Sequence, residues 1–252
     1  MKIFNFIVSI VLIVAVALLI SGCSVPLNFS YKNSSEYTAG DGEVSGVKNV
    51  EIDWISGNVE IVSNKGKSVV ISETANKELE DIQKVHWWLD GDTLRVKYCA
   101  SGKSWGTKFN GVNKSLTISV PEDMMLTELN INTVSADFNV SGINVGKTDI
   151  DTVSGSLSLN YKMKTLNLDS VSGNIEVKAA DGVECDADTV SGDIKIDITG
   201  CGGITVNYDT VSGRLSGDVE FKIDGHKYVN GDGSADFKIN TVSGDVKIVK
   251  AE

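Results

Sequence analysis

The chain has 252 residues, of which 41% are hydrophobic, 25 are glycine and two are proline, and its formal net charge is −11. This length and composition fit one large domain or two small ones of a turn-rich, all-β type, and they argue against a disordered chain. An acidic balance repels the phosphates of nucleic acids. We therefore exclude nucleic acid as a partner.

The first segment is predicted to be an export signal rather than part of the fold. Lys2 precedes an apolar run over residues 3–20, which ends in Ile20-Ser21-Gly22-Cys23 and there resembles the lipobox of bacterial lipoproteins. The resemblance implies a signal peptide at residues 1–22 and acylation of Cys23, so that a lipid anchor holds the protein to the bacterial cell membrane on its extracytoplasmic side. The alternative is a retained transmembrane helix, because about 18 apolar residues just span a bilayer. Both interpretations export the rest of the chain.

Residues 23–46 are predicted to be the lipidated cysteine followed by a flexible tether. The stretch is rich in Ser, Asn, Gly and Tyr, contains Pro26, and lacks sustained alternation of apolar and polar residues. Such a segment would space the following domain from the bilayer.

The domain is predicted to span residues 47–250, beginning with divergent rungs over residues 47–128. Residues 52–59, with the sequence IDWISGNV, are a first copy of a motif that becomes regular later, and residues 86–94 are typical of two strands joined at Asp90-Gly91. Terminal repeats of stacked proteins are usually atypical, because they must cover an exposed core. We therefore expect an irregular N-terminal cap in this region.

Residues 129–250 carry the regular motif, in which Val-Ser-Gly lies inside a longer unit. Copies occur at residues 150–157, 168–175, 187–194, 209–215 and 240–246, with a degenerate copy at 132–138. A period of about 19 residues is typical of stacked-repeat architectures, in which each repeat buries its apolar face against its neighbours.

Alternating apolar residues predict how each repeat folds. Each copy supplies two short strands, and parallel stacking about 4.8 Å apart would align equivalent side chains in ladders. We assign the valine of the motif to the core, its Thr and Ser hydroxyls to the outside, and a tight corner to its glycine. The predicted fold class is an all-β, right-handed parallel β-solenoid. The predicted corner residues are Gly57, Gly155, Gly173, Gly192, Gly213 and Gly244.

Three sequence features together resemble the bacterial putative adhesin family, a domain of unknown function whose members form β-solenoids. They are VEIDWISGNVEI at residues 50–61, LTISVP at residues 116–121, and the repeated Thr-Val-Ser-Gly-Asp. The likeness covers nearly all of residues 47–250. It implies a surface-displayed solenoid, and it brings no catalytic residues to this chain.

The repeats also stack an aspartate column, consisting of Asp151, Asp169, Asp188 and Asp209. Such a column could bind calcium, or each aspartate could cap its own turn by accepting hydrogen bonds from backbone amides. We favour the turn caps and assign no metal site, because the Asp, Gly and Glu spacing of calcium loops is missing from the repeats.

Catalysis and a cofactor are not expected. The sequence has only two arginines, far apart in the repeat series, and its two histidines lie in separate irregular segments. We therefore predict that the protein is not an enzyme. Cys185 takes an inward position and is best explained as a core residue, while a disulfide between Cys185 and Cys201 is the less favoured alternative.

Trp87, Trp88 and Trp105 form the candidate binding surface. One of two adjacent tryptophans in a strand must face outward, and an exposed aromatic ring can stack on a sugar or anchor a protein partner. The alternative is a cap whose rings cover the first rungs. At the other end, residues 245–250 are expected to finish without a cap, with Lys247 and Lys250 guarding the open edge.

The predicted function is that of a non-catalytic cell-envelope lipoprotein that displays a rigid β-solenoid surface for adhesion or envelope interactions. Its expected partners are the membrane, through the lipid anchor, and a glycan or an envelope protein. The alternative is a ligand- or partner-binding accessory lipoprotein of an envelope-stress or cell-wall pathway.

Overall fold

The computed structural model describes residues 28–104 and 109–250. Within these ranges there are twenty β-strands and one 3-10 turn, Ser34–Glu36, and no helix is long and apolar enough to cross a membrane. The predicted signal peptide and Cys23 lie outside the described residues. The strands are β1 (Asn28–Phe29), β2 (Thr38–Ala39), β3 (Gly42–Val44), β4 (Asn49–Asn64), β5 (Val69–Ala75), β6 (His86–Asp90), β7 (Thr93–Lys97), β8 (Lys103–Ser104), β9 (Lys114–Pro121), β10 (Met125–Thr152), β11 (Leu157–Ser170), β12 (Ile175–Lys178), β13 (Glu184–Thr189), β14 (Ile194–Asp197), β15 (Gly203–Thr210), β16 (Leu215–Gly217), β17 (Lys222–Asp224), β18 (Lys227–Gly231), β19 (Ala235–Thr241) and β20 (Val246–Val249).

The repeat period sets the register between neighbouring strands. Strands β10 and β11 pair in parallel, with Phe138 beside Leu157 and Val140 beside Leu159. Strand β12 continues the same ladder, since Ile175 pairs with Leu157. Equivalent residues of successive motifs thus lie side by side, and the predicted β-solenoid is confirmed.

The core consists of the inward columns that this register produces. One column runs through Leu166, Cys185, Phe237 and Val206, all buried and in adjacent strands. Because each side chain meets its equivalent above and below, a small residue such as Cys185 is offset by the large Phe237 in the next rung. Cys185 is a core residue, as predicted, and Cys185 and Cys201 are both free.

The order of rungs in space departs from the order along the chain at the C-terminal end. Strand β19 lies between β13 and β15 and pairs in parallel with both, and β20 lies in the same way between β14 and β16. The last repeat is therefore inserted into the stack. The prediction that residues 245–250 form an open, uncapped edge is wrong, because β15 and β16 form the outer rung and β18 pairs antiparallel with β15.

The N-terminal end repeats this arrangement. Strand β4 pairs in parallel with β10 on one side and with β7 and β9 on the other, so the first long strand is also second from the end. In space there are eight rungs among the described residues. The first consists of β7 and β9; the second of β4; the third of the first half of β10; the fourth of the second half of β10 and the first half of β11. The fifth consists of the second half of β11 and β12; the sixth of β13 and β14; the seventh of β19 and β20; and the eighth of β15 and β16.

Antiparallel strands cover the N-terminal end of the stack. Strand β6 pairs with β7, and β5 pairs with β9. Residues from the predicted tether extend this cover, since β2 pairs with β6, β3 pairs with β5, and Trp87 Nε1 donates to Gly40 O at 2.9 Å. The tether prediction is thus corrected for residues 38–44, because their backbone groups complete the edges of two strands that would otherwise lack partners.

At the corner of each repeat, the residue that faces the core is not the one that the sequence predicts. Thr152 is 2% exposed, whereas Val153 is half-buried and Val211, the equivalent valine of a later copy, is 80% exposed. The inward alternation that begins at Ile150 simply continues to Thr152. Its hydroxyl is satisfied inside the corner, where Thr152 Oγ1 donates to Ser154 O at 3.1 Å. The assignment of the valine to the core and of the threonine to the outside is therefore wrong.

The serine of the motif ties each corner to its neighbour. Ser154 Oγ donates to Val134 O at 3.2 Å, Ser172 Oγ to Val153 O at 3.3 Å, and Ser191 Oγ to Val171 O at 3.4 Å. These hydroxyls form the column that the sequence predicts, but each one is used within the stack.

The predicted corner glycines stack directly on one another. A Cβ at Gly192 would overlap the carbonyl oxygen of Gly173, and a Cβ at Gly173 would overlap that of Gly155. Gly57, Gly155, Gly173 and Gly192 also have positive φ angles, whereas Gly213 and Gly244 are crowded by a neighbouring carbonyl without one. The chain bends here because only glycine permits both the angle and the close approach.

Candidate binding surfaces

The outward side of the first strand in each rung carries a column of carboxylates and amides, which we call the acidic face. Its central members lie on neighbouring parallel strands about 4.8 Å apart. In spatial order the column runs Asp53, Asn132, Asp151, Asp169, Asp188, Asn240 and Asp209.

Near each end of this column, an asparagine takes the place of an aspartate and donates a hydrogen bond to a neighbouring aspartate. Asn132 Nδ2 donates to Asp53 Oδ1 at 2.9 Å, and Asn240 Nδ2 donates to Asp188 Oδ1 at 2.6 Å. Asp53 and Asp188 therefore bond across rungs, and this is not the capping of their own turns that the sequence predicts. No cluster of three or more His, Cys, Asp or Glu suited to a metal ion occurs in residues 28–104 and 109–250.

At the centre of the column, the pKa values of three aspartates are raised. Burial raises the pKa of Asp169 to about 6, and the neighbouring charges of Asp188 and Asp151 add to the effect. The pKa values of Asp151 and Asp188 are raised as well, first by burial. Like charges at this spacing disfavour ionisation of the middle group.

An ion cluster terminates the acidic face at its N-terminal end. Lys97 contacts Asp53 and lies 2.8 Å from Glu51 Oε1, and Arg95 contacts Glu51 while its Nε lies 3.0 Å from Asp90 Oδ2. Burial alone would lower the pKa of Lys97, but the carboxylates of Asp53 and Glu51 raise it. The cluster has fixed partners on both sides, so it is a rigid part of the surface.

Beside this cluster lies an aromatic patch made of Tyr31, Tyr37 and Trp88. The ring centroids of Tyr37 and Trp88 are 5.7 Å apart, and those of Tyr31 and Tyr37 are 4.6 Å apart. Trp88 is half-buried on the outer side of β6, opposite Arg95 on β7. Trp87 packs instead against the core and the N-terminal segment, so only one of the adjacent tryptophans belongs to the outer patch. Trp105 lies outside the described residues.

Beneath the cap lies a buried charge pair that the sequence analysis missed. Lys114 Nζ lies 2.7 Å from Glu73 Oε1, and both side chains are buried, with Lys114 wholly inaccessible. Lys114 Nζ also donates to Gln83 O at 2.6 Å and lies 4.9 Å from the ring centroid of Trp54. Burial lowers the pKa of Lys114. No solvent path reaches the amine, so we assign it to holding the cap together.

The outward side of the second strand in each rung carries an open groove of about 610 Å³. It crosses five successive rungs, from β4 to β14, and runs perpendicular to the strands. One wall carries the residue that follows each corner position, namely Asn58, Asp137, Ser156, Asn174 and Asp193; the other wall carries Glu60, Asn139, Ser158, Glu176 and Lys195. The apolar residue between each pair faces the core, so the strand backbone forms the floor.

Groups with catalytic potential are not assembled among the described residues. His86 contacts Lys84 O near the N-terminal cap, and His226 lies 3.2 Å from Asp209 at the opposite end of the stack. Cys99, Cys185 and Cys201 are free and buried, and burial raises the pKa of Cys99 to about 11. A thiol with a raised pKa is a poor nucleophile.

Family models match two overlapping parts of the chain, residues 47–161 and 122–249, and both matches are to the Toastrack domain DUF4097. The chain belongs to the Toastrack DUF4097 family. The matched ranges cover all eight rungs, and their overlap at residues 122–161 coincides with β10 and the start of β11. No curated protein matches the chain.

Three solved structures are similar to this chain at low identity. A putative cell adhesion protein from Clostridium sporogenes is 14% identical, with a TM-score of 0.44 over 85% of this chain and 100% of that chain. A putative adhesin from Bacteroides fragilis is 15% identical, with a TM-score of 0.41 over 85% and 97%. A putative lipid binding protein from Parabacteroides distasonis is 12% identical, with a TM-score of 0.35 over 86% and 97%.

Three features of these surfaces were missed, or only partly indicated, by the sequence. Tyr31 and Tyr37 lie in the predicted tether. The pairing of β2 with β6 and the hydrogen bonds of Tyr31 to Cys99 and Ser101 bring them to Trp88. Lys114 follows no repeat pattern. The groove depends on the bend at the glycine corner, although alternation does place its polar residues outward, and the low bulk of Ser156 and Ser158 was its one visible signal.

Proposed function

We propose that this Toastrack protein is a non-catalytic cell-envelope lipoprotein, anchored through Cys23, that presents a stiff β-solenoid for adhesion or other envelope interactions. One observation carries the proposal: antiparallel strands cover β7 and β9 at one end of the stack and β15 at the other, while among the described residues no further strand pairs across the outer faces of the eight rungs. A stack closed in this way offers faces, rather than edges, to a partner.

The rung register supports a rigid display unit. Each rung is bound to the next by parallel backbone ladders and by the serine and glycine columns at the corner. Eight rungs extend over seven spacings, about 34 Å at about 4.8 Å each. The acidic face and the groove therefore keep a fixed spacing between equivalent groups along this length.

The positions of the reactive groups support a role without chemistry. The two histidines lie at opposite ends of the stack, and the motif serines donate to backbone carbonyls instead of to a base. A serine nucleophile needs a neighbouring base to accept its proton.

A second candidate is an accessory lipoprotein that binds one specific ligand or protein in an envelope-stress or cell-wall pathway. The observation that favours it is the aromatic patch, where Tyr37 and Trp88 adjoin the ion cluster of Arg95 and Lys97. A compact site with aromatic and charged groups is typical of an interaction hot spot.

Crosslinking of the full chain in its own cells separates these candidates. A photo-crosslinker at position 88 and another at position 139 should both capture matrix or neighbouring-cell material if the protein acts by display. Capture of a single membrane protein from position 88 alone would instead establish the accessory role. A chain that catches nothing outside the cytoplasm would refute both.

The anchor is tested separately by replacing Cys23 with Ser. The variant should lose incorporation of labelled palmitate and should keep its leader, because cleavage requires the lipobox cysteine. The wild type should carry the label and a mature N-terminus at Cys23. A wild type that carries no label and retains residues 1–22 by mass spectrometry would favour the uncleaved transmembrane helix instead.

A further inference from the structure

The groove on the second strands differs from the acidic face in how its polar groups are used. On the acidic face, Asn132, Asn167 and Asn240 each donate to an aspartate of the neighbouring rung. In the groove, the side chains of Asn58, Glu60, Asn139, Ser156 and Ser158 have no hydrogen-bond partner among the described residues. These groups lie on three adjacent rungs.

The remaining groove residues are held by the stack and fix its shape. Asp137 Oδ1 accepts from the backbone amide of Ser156 at 2.7 Å, which secures one wall. Glu176 Oε1 lies 2.8 Å from Lys195 Nζ, which closes the far end of the other wall. The groove thus has a fixed outline and a free set of hydrogen-bonding groups.

The direction and spacing of these groups limit what could lie in the groove. Along the wall of Glu60, Asn139 and Ser158, a free group occurs on each of three successive rungs, about 4.8 Å apart along a line perpendicular to the strands. An extended peptide advances by only about 3.3 Å per residue, so its groups would fall out of step with the rungs. A pyranose unit in a linear polysaccharide has a length close to one rung spacing, so each sugar would meet the pair of polar side chains that one rung contributes.

The charge of the groove limits the ligand further. Its walls carry Glu60, Asp137, Glu176 and Asp193 against one cation, Lys195. This excess of carboxylates repels uronic acids, sulfated sugars and phosphates, whereas neutral hydroxyls and acetamido groups can donate to carboxylates and bond to Asn and Ser.

We propose that the groove binds a linear, non-acidic polysaccharide lying along the solenoid axis, with one sugar per rung across five rungs. This proposal adds a ligand class to the proposed function, and it rests on that function only in taking the protein to bind without catalysing a reaction. The groove is distinct from the aromatic patch, and its ligand makes no contact with Trp88.

The test uses the full chain purified in detergent, with calorimetric titration of cello- and chito-oligosaccharides from the dimer to the hexamer as neutral probes and the hexamer of galacturonic acid as the acidic probe. We expect at least one neutral hexamer to bind, with affinity that rises with chain length up to five sugars and then levels off. The acidic hexamer should bind at least tenfold more weakly. Failure of both neutral hexamers to bind at millimolar concentration, or equal binding of the acidic one, overturns the inference.

A matched pair of variants locates the site. Ser158→Trp fills the centre of the groove and should weaken binding at least tenfold. Thr165→Trp makes a similar change on the same strand but on the other face, and it should leave binding unchanged. Equal binding by the wild type and Ser158→Trp contradicts the inference.

A second variant keeps the test decisive if Ser158→Trp unfolds, which thermal melting would reveal. The double variant Asn58→Ala/Asn139→Ala removes free hydrogen-bonding groups without adding bulk and should weaken binding by a similar factor. Unchanged binding in this variant would overturn the inference. Because these titrations use purified protein, they test glycan binding alone, whereas crosslinking in cells tests the envelope role. A failure of the polysaccharide proposal can therefore be distinguished from a failure of the proposed function.

Discussion

The regular stack and the N-terminal cap bury apolar surface in different ways. In the stack, strands β10 to β16, together with β19 and β20, repeat one set of contacts. The same threonine, serine and glycine positions therefore meet their equivalents in several successive rungs. In the cap, each contact occurs once, and a buried ion pair between Lys114 and Glu73 joins three segments. Repetition distributes stability over many equivalent positions, whereas the cap concentrates it in a few side chains.

The largest effect is expected in the cap, from Lys114→Met. Removing the amine leaves the carboxylate of Glu73 buried without its counter-charge, which should destabilise the fold by about 4 kcal/mol. Chemical denaturation followed by tryptophan fluorescence measures the change.

The control is the double variant Lys114→Met/Glu73→Gln. Because it removes both charges, it should recover a large part of the lost stability. If the single and double variants unfold at the same denaturant concentration, the ion pair is not what holds the cap together.

In the stack, the corresponding weak point is the glycine column. Gly192→Ala places a methyl group against the backbone of Gly173 at a φ of 129° and should cost about 3 kcal/mol or more. Gly182 has a φ of 78° but open space around it, so Gly182→Ala should cost only about 1 kcal/mol.

The two midpoints of thermal unfolding give the comparison directly. The difference between the two midpoints measures the contribution of close approach between corners, because the loss of glycine's conformational freedom is common to both variants. Equal losses in the two variants would mean that close approach between rungs contributes nothing.

The orientation of the corner is tested within one copy of the motif. Thr189 is 0% exposed and Val190 is half-buried, so Thr189→Asn should destabilise by about 2 kcal/mol through crowding and an unsatisfied amide. Val190→Asn should change the free energy of unfolding by less than about 0.5 kcal/mol. The reverse order would restore the sequence-based assignment of the valine to the core.

The smallest effect concerns the acidic face and depends on pH. The pKa of Asp169 is raised to about 6 in the folded protein from an ordinary value of 3.8, so the folded state holds the proton more tightly. The resulting stabilisation is complete below about pH 4 and is lost as pH rises through about 6. Asp169→Asn should therefore stabilise the protein at pH 8, by about 1 kcal/mol after allowance for solvent screening.

At pH 4 the same substitution should have almost no effect, because the native carboxyl is already protonated. Asp123→Asn, in an exposed turn between β9 and β10, is the matched control and should show no such difference between the two pH values. An equal gain at pH 4 and pH 8 would exclude charge repulsion as the cause.

The sequence predicted the repeats well because their period alone sets the register. It failed at the corner, where the hydroxyl of Thr152 is satisfied by nearby backbone, so that the more polar residue is the buried one. It also failed at the ends. Every copy of the motif fits beside every other copy, so the pattern contains no signal that β19 inserts between β13 and β15.

The candidate surfaces were predictable in part for the same reason. Alternation places Asp169 and Ser158 on outer faces, and the ladders follow from the period. The groove, however, depends on the bend of the corner. The aromatic patch depends on the long-range pairing of β2 with β6, which composition alone does not indicate.

The insertion of the last repeat into the stack is tested most directly by disulfide trapping. Lys195 and Lys247 are register partners on β14 and β20, and Lys247 is in turn the partner of Ser216 on β16. Cysteines at 195 and 247 should therefore lie about 4.8 Å apart and oxidise readily, whereas cysteines at 195 and 216 lie two rungs apart, about 9.6 Å, which is too far for a bridge. Rapid oxidation of the 195–247 pair alone is the predicted result, and rapid oxidation of the 195–216 pair instead would show that the rungs follow chain order and would contradict this account.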